Sequence, residues 1–209
     1  MVKLYVEGGG DTTALKAECR AGFSAFITSA GITVRPRIVA CGSRSNAFES
    51  YCTAIANGEA AMLLVDSEAP VAAQAQPEEP STWQPWQHLK NHQEDGWNKP
   101  PNAVDTDCHL MVQCMENWLL ADRVALQKFF GQGFQDGPLP VISTPIEQIA
   151  KITAYGALAQ ASQACKTKAQ YGKGAHSFKL LALVNPDKVM AAAPWAERFV
   201  TELKKKMHG

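Results

Sequence analysis

Two short stretches decide the fold: residues 4–11 read LYVEGGGD, and residues 63–68 read LLVDSE. Each is an apolar run that ends at an acidic residue, and the first is followed at once by three glycines. A near-continuous apolar run is typical of a strand buried on both faces, as in a parallel sheet. Glycines directly after a strand predict a tight turn. The two stretches therefore predict buried strands of a helix-covered sheet.

The flanking segments extend this pattern into alternating strands and helices. Four strands are predicted, at 2–7, 33–41, 60–68 and 109–114, the second of them broken by Pro36. Helices are predicted at 12–29, 46–56, 85–91 and 115–130, and most of the chain after Ile146 is predicted to be helical. A β-α-β-α-β order predicts right-handed crossovers. We therefore predict an α/β fold with a mostly parallel sheet flanked by helices. One domain would cover 1–145, and a basic helical segment, 146–209, would pack on it.

The stretch from 69 to 106 differs in composition from the rest of the chain. It contains six of the twelve prolines and three of the five tryptophans, Trp83, Trp86 and Trp97. A loop of this length is usually functional or disordered, and disordered segments are poor in aromatic residues. We interpret it as an ordered insertion. Its tryptophans either stack on bases or anchor the loop to the body, and we favour anchoring.

Composition excludes a membrane-spanning protein. The chain has 209 residues, 46% of them hydrophobic, and its apolar runs are far shorter than the roughly 18 residues that span a bilayer. The N-terminal sequence lacks the layout of a signal peptide. The six cysteines are scattered without a CxxC pair, which favours reduced thiols. These features predict a cytoplasmic protein.

Charge is unevenly distributed, although the net charge is zero. Residues 1–150 contain 10 Lys and Arg against 17 Asp and Glu, whereas residues 151–209 contain 10 against 3. An acidic body can hold a metal ion, and a basic segment can attract nucleic acid. The alternative for the terminal lysines is a solvated helix end, where the helix dipole favours cations.

Three carboxylates are predicted to meet at one edge of the sheet. Glu7 ends the first strand, and Asp66 and Glu68 end the third. Sites in parallel sheets lie at the carboxyl ends of strands, and residues two apart in an extended segment point the same way. Such a cluster suits Mg²⁺, for which Mn²⁺ can substitute. The alternative is that Asp66 and Glu68 cap the next element and Glu7 pairs with a basic residue.

Two further acidic residues have open roles. Glu116 begins the helix after the fourth strand, where it is either a site carboxylate or a charge stabilised by the helix dipole. Asp11 is either a helix cap or an additional metal ligand. Asp122 is predicted to be structural, because it lies nearly two turns from the strand end.

Several residues are candidates for phosphate contacts. Gly8, Gly9 and Gly10 either cradle a phosphate before a helix or only permit a tight turn. Arg44, in the turn after the second strand, and His176, in the glycine-flanked YGKGAHS at 171–177, are further candidates. Lys173 in that loop would neutralise charge on a scissile phosphate, unless it is simply solvated.

The combination LYVEGGGD and LLVDSE resembles the Toprim pattern, in which a Glu after one strand and an acidic pair after another bind Mg²⁺. With WQHLKNHQEDGWNKP (86–100), HLMVQCMENWLLAD (109–122) and YGKGAHSFKLL (171–181), it resembles a bacterial family of Toprim-like domains of unassigned function. The resemblance covers roughly residues 3 to 203. The kin of that family include the overcoming-lysogenization-defect (OLD) and RloB-type nucleases, and its members are often encoded beside an ABC/AAA-type ATPase. This chain departs from the commonest Toprim form in having Asp-Ser-Glu in place of Asp-x-Asp.

The resemblance implies a Mg²⁺-dependent nuclease acting on DNA or RNA in anti-phage defence, with an ATPase partner and an expected homodimer. Its catalytic residues would be Glu7, Asp66, Glu68, Glu116 and Lys173. The chain has no Walker A motif, so another chain would have to use the ATP. The alternative function is a non-catalytic adaptor or sensor that binds the ATPase. A topoisomerase-like function is disfavoured, because the four tyrosines lie in predicted strands and helices.

Overall fold

The computed structural model describes residues 1–208, and its centre is a four-stranded parallel sheet. The strands are β1 (Lys3–Val6), β2 (Arg37–Ala40), β3 (Ala61–Asp66) and β4 (Cys108–Met111). Their spatial order is β2-β1-β3-β4, and every neighbouring pair is parallel. The predicted α/β class is therefore confirmed. The two apolar stretches that lead to Glu7 and Asp66, β1 and β3, lie side by side at the centre of the sheet.

Alternation along the central strands divides the core into two faces. All six residues of β3 are buried. Met62 and Leu64 belong to one apolar cluster, and Leu63 and Val65 belong to another. Successive side chains of a strand point to opposite faces, so a strand that is covered on both sides needs apolar residues throughout.

Nine α-helices surround the sheet within residues 1–208. They are α1 (Thr13–Ser29), α2 (Arg44–Ala56), α3 (Pro85–Asn91), α4 (Met115–Leu120), α5 (Arg123–Phe130), α6 (Lys151–Ser162), α7 (Ser177–Leu181), α8 (Pro186–Ala192) and α9 (Pro194–His208). Hydroxyl caps define two starts: Thr12 Oγ1 accepts from the Leu15 amide, and Ser43 Oγ accepts from the Asn46 amide. None of the helices in this part of the chain is long and apolar enough to cross a membrane.

The C-terminal segment shares a core with the rest of the protein. Helix α1 and the helices after residue 150 cover one face of the sheet, where Phe23 and Phe26 of α1 join Leu158 of α6 and Phe199 of α9 in one cluster. Helix α2 and the 69–106 insertion cover the other face. The basic segment thus forms one wall of the fold.

Two element boundaries differ from the predicted ones, each for a local reason. The helix predicted at 115–130 is broken after Leu120, because Asp122 caps α5 by accepting from the Ala125 amide. Asp122 also accepts from the Asn185 amide and from Lys188, at 3.0 and 2.7 Å, so it is structural as predicted. Strand β2 begins only after Pro36, which has no amide proton to donate to the ladder.

The insertion is anchored through its tryptophans. Trp97 stacks on Phe48 with ring centroids 4.5 Å apart, and Trp83 packs on Trp195 at 4.6 Å. Trp86 lies 5.7 Å from the Tyr51 ring and is 3% exposed. The structure therefore shows the anchoring arrangement: Trp83 and Trp86 are buried, and the half-buried Trp97 is stacked on Phe48.

Arg198 of α9 ties the insertion to the last strand. Its guanidinium is buried and donates to the carbonyls of Pro80, Asp105 and Cys108, at 2.8, 2.8 and 3.0 Å. It also donates to His109 Nδ1 at 3.0 Å, which requires a neutral imidazole. Burial, together with the Arg198 charge, lowers the pKa of His109 well below its ordinary value, which agrees with this bond. Breaking these four hydrogen bonds would be costly, because the buried guanidinium charge would lose all of its acceptors.

We expect Arg198→Met to lower the free energy of unfolding by about 3 kcal/mol, because four acceptors, two of them buried, lose their donor. Arg20→Met is the matched control: Arg20 is exposed on α1, and its substitution should change stability by less than about 0.5 kcal/mol. Urea unfolding followed by circular dichroism measures both changes. Equal stability of the two variants would contradict the role given to Arg198.

Candidate functional site

Three carboxylates converge at the carboxyl edge of the sheet. Glu7 follows β1, Asp66 ends β3, and Glu68 lies two residues further on. One oxygen from each lies within 4.8 Å of the other two. Among the His, Cys, Asp and Glu side chains of residues 1–208, this is the one group of three close enough to share a metal ion. The predicted convergence follows from the adjacency of β1 and β3.

A glycine turn fixes Glu7 against the sheet. Gly8 and Gly42 exchange backbone hydrogen bonds of 2.9 Å, and Gly8 and Gly9 have φ angles of 124° and 89°. A Cβ on Gly8 would lie 2.8 Å from the Phe178 ring, and one on Gly9 would lie 2.9 Å from Lys16 Cα. Both features require glycine. The Gly8 amide is already used, whereas within residues 1–208 the amides of Gly9 and Gly10 donate to no protein acceptor. A phosphate cradle would therefore be limited to Gly9 and Gly10.

Glu68 reaches the cluster by a different backbone path from the predicted one. The sequence predicts an extended segment through residue 68, but Glu68 has a φ of 62°, in the left-handed region that non-glycine residues seldom adopt. Its amide donates to the Gln113 carbonyl at 2.9 Å, which holds this conformation. A backbone conformation of this kind costs of order 1 kcal/mol and is commonest at functional sites.

Asp66 is the most buried of the three carboxylates. It is 3% exposed, and its Oδ1 accepts from the Met115 amide at 2.9 Å. Burial raises the pKa of Asp66 well above its ordinary value, and the charges of Glu7 and Glu116 raise it further. The pKa of Glu7 is raised by burial too, although Glu7 Oε2 accepts from the Asp66 amide at 3.0 Å. The site therefore holds negative charge that its surroundings do not fully stabilise.

Two lysines approach the cluster from the C-terminal segment. Lys151 Nζ lies 2.5 and 2.7 Å from the two oxygens of Glu68 and 3.7 Å from Asp66 Oδ2. Lys173 Nζ lies 4.0 Å from Asp66 Oδ2, and its side chain is 53% exposed. The sequence pattern singles out Lys173 but not Lys151. No local motif marks Lys151, which is 83 positions from Glu68 along the chain.

Glu116 lies beneath Asp66 as a fourth, fully buried carboxylate. Its Oε1 accepts from the Tyr171 hydroxyl at 2.8 Å and from Ser177 Oγ at 3.1 Å. Its Oε2 has no hydrogen-bond partner among the described residues. Glu116 also lies in the first turn of α4, so both roles left open by the sequence stay predictions.

A cavity of about 410 Å³ lies beside the carboxylates. Its apolar wall is formed by Leu15, Met111, Met115 and Phe178. Its polar side is formed by Glu7, Asp66, Glu116, Lys173 and Ser177, with the glycine turn at the edge. The volume suits a small organic group or part of a nucleotide.

Arg44 and His176 make contacts within the protein, and neither residue lines the cavity. Both terminal nitrogens of Arg44 bind the carboxylate of Asp95, at 2.6 and 2.9 Å, and its Nε lies 3.5 Å from Glu7 Oε2. The Arg44 fork is therefore occupied, and Arg44 orients Glu7. His176 Nδ1 accepts from the Gly172 amide, and its ring packs against Phe129 and Phe130. Burial lowers the pKa of His176, so it is a poor partner for an anion. That Arg44 and His176 contact a phosphate therefore stays a prediction, and it would require each side chain to exchange its present contact for the phosphate.

Asp11 lies outside the carboxylate cluster. Its side chain is exposed, and it is not a member of the metal-sized group found among the described residues. Thr12, and not Asp11, caps α1. The prediction of an additional ligand at Asp11 has no geometric counterpart in this structure.

A comparison with protein-family models identifies the family to which the chain belongs. A family model described as "Domain of unknown function (DUF4276)" matches residues 6–204. The chain belongs to the DUF4276 family. The DUF4276 match covers the whole carboxylate cluster and both lysines beside it. Comparisons with curated proteins and with solved structures gave no match.

We expect Asp66→Asn to stabilise the metal-free protein by about 1 kcal/mol at pH 8, because it removes a buried charge and retains an acceptor for the Met115 amide. Because the pKa of Asp66 is raised in the folded protein, its contribution to the free energy of unfolding is fully present at pH values below the ordinary aspartate pKa. That contribution is lost as the pH rises through the folded-state pKa. The stability of the wild type should therefore fall between pH 5 and 8 in EDTA more steeply than that of the variant. Asp11→Asn is the exposed control. A less stable Asp66→Asn variant at pH 8 would refute this account.

Proposed function

We propose that this protein is a Mg²⁺-dependent nuclease of the Toprim type, which hydrolyses phosphodiester bonds in nucleic acid. The observation that carries the proposal is the convergence of Glu7, Asp66 and Glu68 within 4.8 Å at the carboxyl edge of a parallel sheet. A stability role alone would not favour such a cluster, because carboxylates held this close together repel one another. A divalent cation would remove that repulsion.

The donor set fits Mg²⁺. Carboxylate oxygens and waters are its preferred ligands, and the described members of the cluster offer oxygen only, without a histidine or thiol. The buried, unpartnered Oε2 of Glu116 behind Asp66 adds a further acceptor that the protein itself does not satisfy. Glu7 and Asp66 would hold the ion, and the ion would supply a Lewis acid that orients the phosphodiester and stabilises negative charge on oxygen.

The protein groups around the cluster suit the remaining steps. In hydrolysis, a water oxygen forms a bond to phosphorus, one P–O ester bond breaks, and the water proton must be taken up. With Glu7 bound to the ion and oriented by Arg44, that proton would pass to solvent. Lys173 at the cavity mouth would neutralise charge on the phosphate, and the leaving oxygen would be protonated from solvent.

Partners are part of the proposal. A body with excess acidic residues repels nucleic acid, so the basic residues of the C-terminal segment and a second surface would have to supply attraction. A homodimer or an ABC/AAA-type ATPase would provide that surface. We propose, from the Toprim, OLD and RloB resemblance, that the protein acts with such an ATPase in anti-phage defence.

We expect Mg²⁺ or Mn²⁺ to raise the melting temperature of the wild type but not of Asp66→Asn, because the ion binds only the folded cluster. A concentration 100 times the Kd would stabilise by about 2.7 kcal/mol. Because Asp66 and Glu7 have raised pKa values, binding must release protons, so affinity should increase as the pH rises from 5 to 8. Calorimetry in two buffers of different ionisation enthalpy measures the release. Asp11→Asn should respond like the wild type.

The nuclease itself is tested by incubating the purified chain with plasmid DNA and with total tRNA, in Mg²⁺, Mn²⁺ or EDTA. We expect metal-dependent cutting that Asp66→Asn or Glu7→Gln reduces by at least about 100-fold, because each removes a ligand of the ion that orients the phosphate. Asp11→Asn should retain cutting. If metal binds but neither substrate is cut, even with the ATPase and its nucleotide added, the adaptor function replaces the nuclease.

A further inference from the structure

We infer that Lys151 takes the place of a second divalent cation, so that the site works with one metal ion and one fixed ammonium group. This inference rests on the proposed function and specifies its metal count. In two-metal phosphodiesterases, two ions about 3.5–4 Å apart share carboxylates and stabilise the attacking and leaving oxygens. Here one of the two positions is filled by a side chain of the protein.

The distances around Lys151 are those of a resident cation. Its Nζ lies 2.5 and 2.7 Å from the two Glu68 oxygens and 3.7 Å from Asp66 Oδ2, so it bridges two of the three carboxylates. Glu68 therefore binds Lys151 and is not counted as a ligand of the ion. Glu7 and Asp66 are left as ligands for one ion, which is the carboxylate number that Mg²⁺ usually uses in proteins.

The fold fixes Lys151 in this place. Lys151 is the first residue of α6, where the helix dipole disfavours a cation. Two hydrogen bonds from the buried Asn117 to the carbonyls of Ile146 and Ile149, at 2.6 and 2.8 Å, hold the segment that leads into this helix. The hydrogen bonds of Asn117 thus hold Lys151 at a helix position that is unfavourable for a cation. We infer that the carboxylates determine its placement.

Both members of the ion pair are preorganised. Glu68 has its left-handed backbone fixed by the hydrogen bond to the Gln113 carbonyl, and this turn directs its carboxylate toward Lys151. Lys151 is 24% exposed, whereas Lys173 is 53% exposed and lies 4.0 Å from Asp66. Lys173 also lies over the Tyr155 ring, at 5.3 Å from its centroid. The two lysines thus differ: Lys151 is built into the cluster, and Lys173 stands at its mouth.

Charge balance agrees with one ion. Three cationic side chains, Lys151, Lys173 and Arg44, face five carboxylates: Glu7, Asp66, Glu68, Glu116 and the Asp95 that binds Arg44. With every carboxylate ionised, the excess is two negative charges, which one divalent ion offsets. A second divalent ion would leave two positive charges, of which a phosphodiester offsets one.

The metal count tests the inference. Bound Mn²⁺ is counted by equilibrium dialysis for the wild type, Lys151→Met, Lys151→Arg and the control Lys173→Met, with folding checked by circular dichroism. We expect one Mn²⁺ in the wild type, in Lys151→Arg and in Lys173→Met, and two in Lys151→Met, where Asp66 and Glu68 become free to share a second ion. Lys151→Gln, which keeps a neutral polar head, replaces Lys151→Met if that variant does not fold.

The outcomes separate the inference from the function on which it rests. Two ions in the wild type, or one ion in both neutral variants, would overturn the role given to Lys151 while leaving a metal-dependent nuclease intact. No bound Mn²⁺ in the wild type would instead remove the proposed function, and the inference with it. Because a purely structural lysine would not change the number of ions, the count distinguishes the two roles.

Discussion

The burial of Asp66 at the end of the central strand is the constraint on which the other features of the site depend. An ionised carboxylate in that position, beside Glu7 and above Glu116, is unfavourable unless cations come close to it. The protein supplies two such cations, Lys151 and Lys173, and places a third, Arg44, beside the neighbouring Glu7. The left-handed backbone of Glu68 and the disfavoured helix position of Lys151 are the local costs of this arrangement. Strain and perturbed pKa values collected in one place are typical of functional sites.

The C-terminal segment completes the site. The carboxylates come from the first 116 residues, whereas Lys151, Tyr171, Lys173 and Ser177 come from beyond residue 145. The same segment shares the apolar core beneath α1. The uneven distribution of charge along the sequence therefore has a structural counterpart, because lysines of the basic C-terminal segment lie directly against carboxylates of the acidic N-terminal part.

The sequence predicts the class of the fold and the convergence of the carboxylates because both depend on local patterns. Continuous apolar runs mark β1 and β3, and adjacent parallel strands must end at the same edge. The break before Asp122 also had a local signal, since aspartate is a favoured helix cap, but the apolar pattern on either side concealed it. Lys151, Asp95 and Tyr171 could not be predicted in this way, because each reaches its partner across more than 50 residues. The φ of Glu68 has no sequence signature, because left-handed backbone is ordinarily associated with glycine or asparagine.

Anomalous diffraction from crystals soaked in Mn²⁺ tests the central claim most directly, because it locates the ion without depending on a substrate. The account predicts one anomalous peak, about 2.1 Å from oxygens of Asp66 and Glu7, with Lys151 still bound to Glu68. The absence of a peak at the carboxyl edge of β1 and β3, in crystals that bind Mn²⁺ elsewhere, would contradict it.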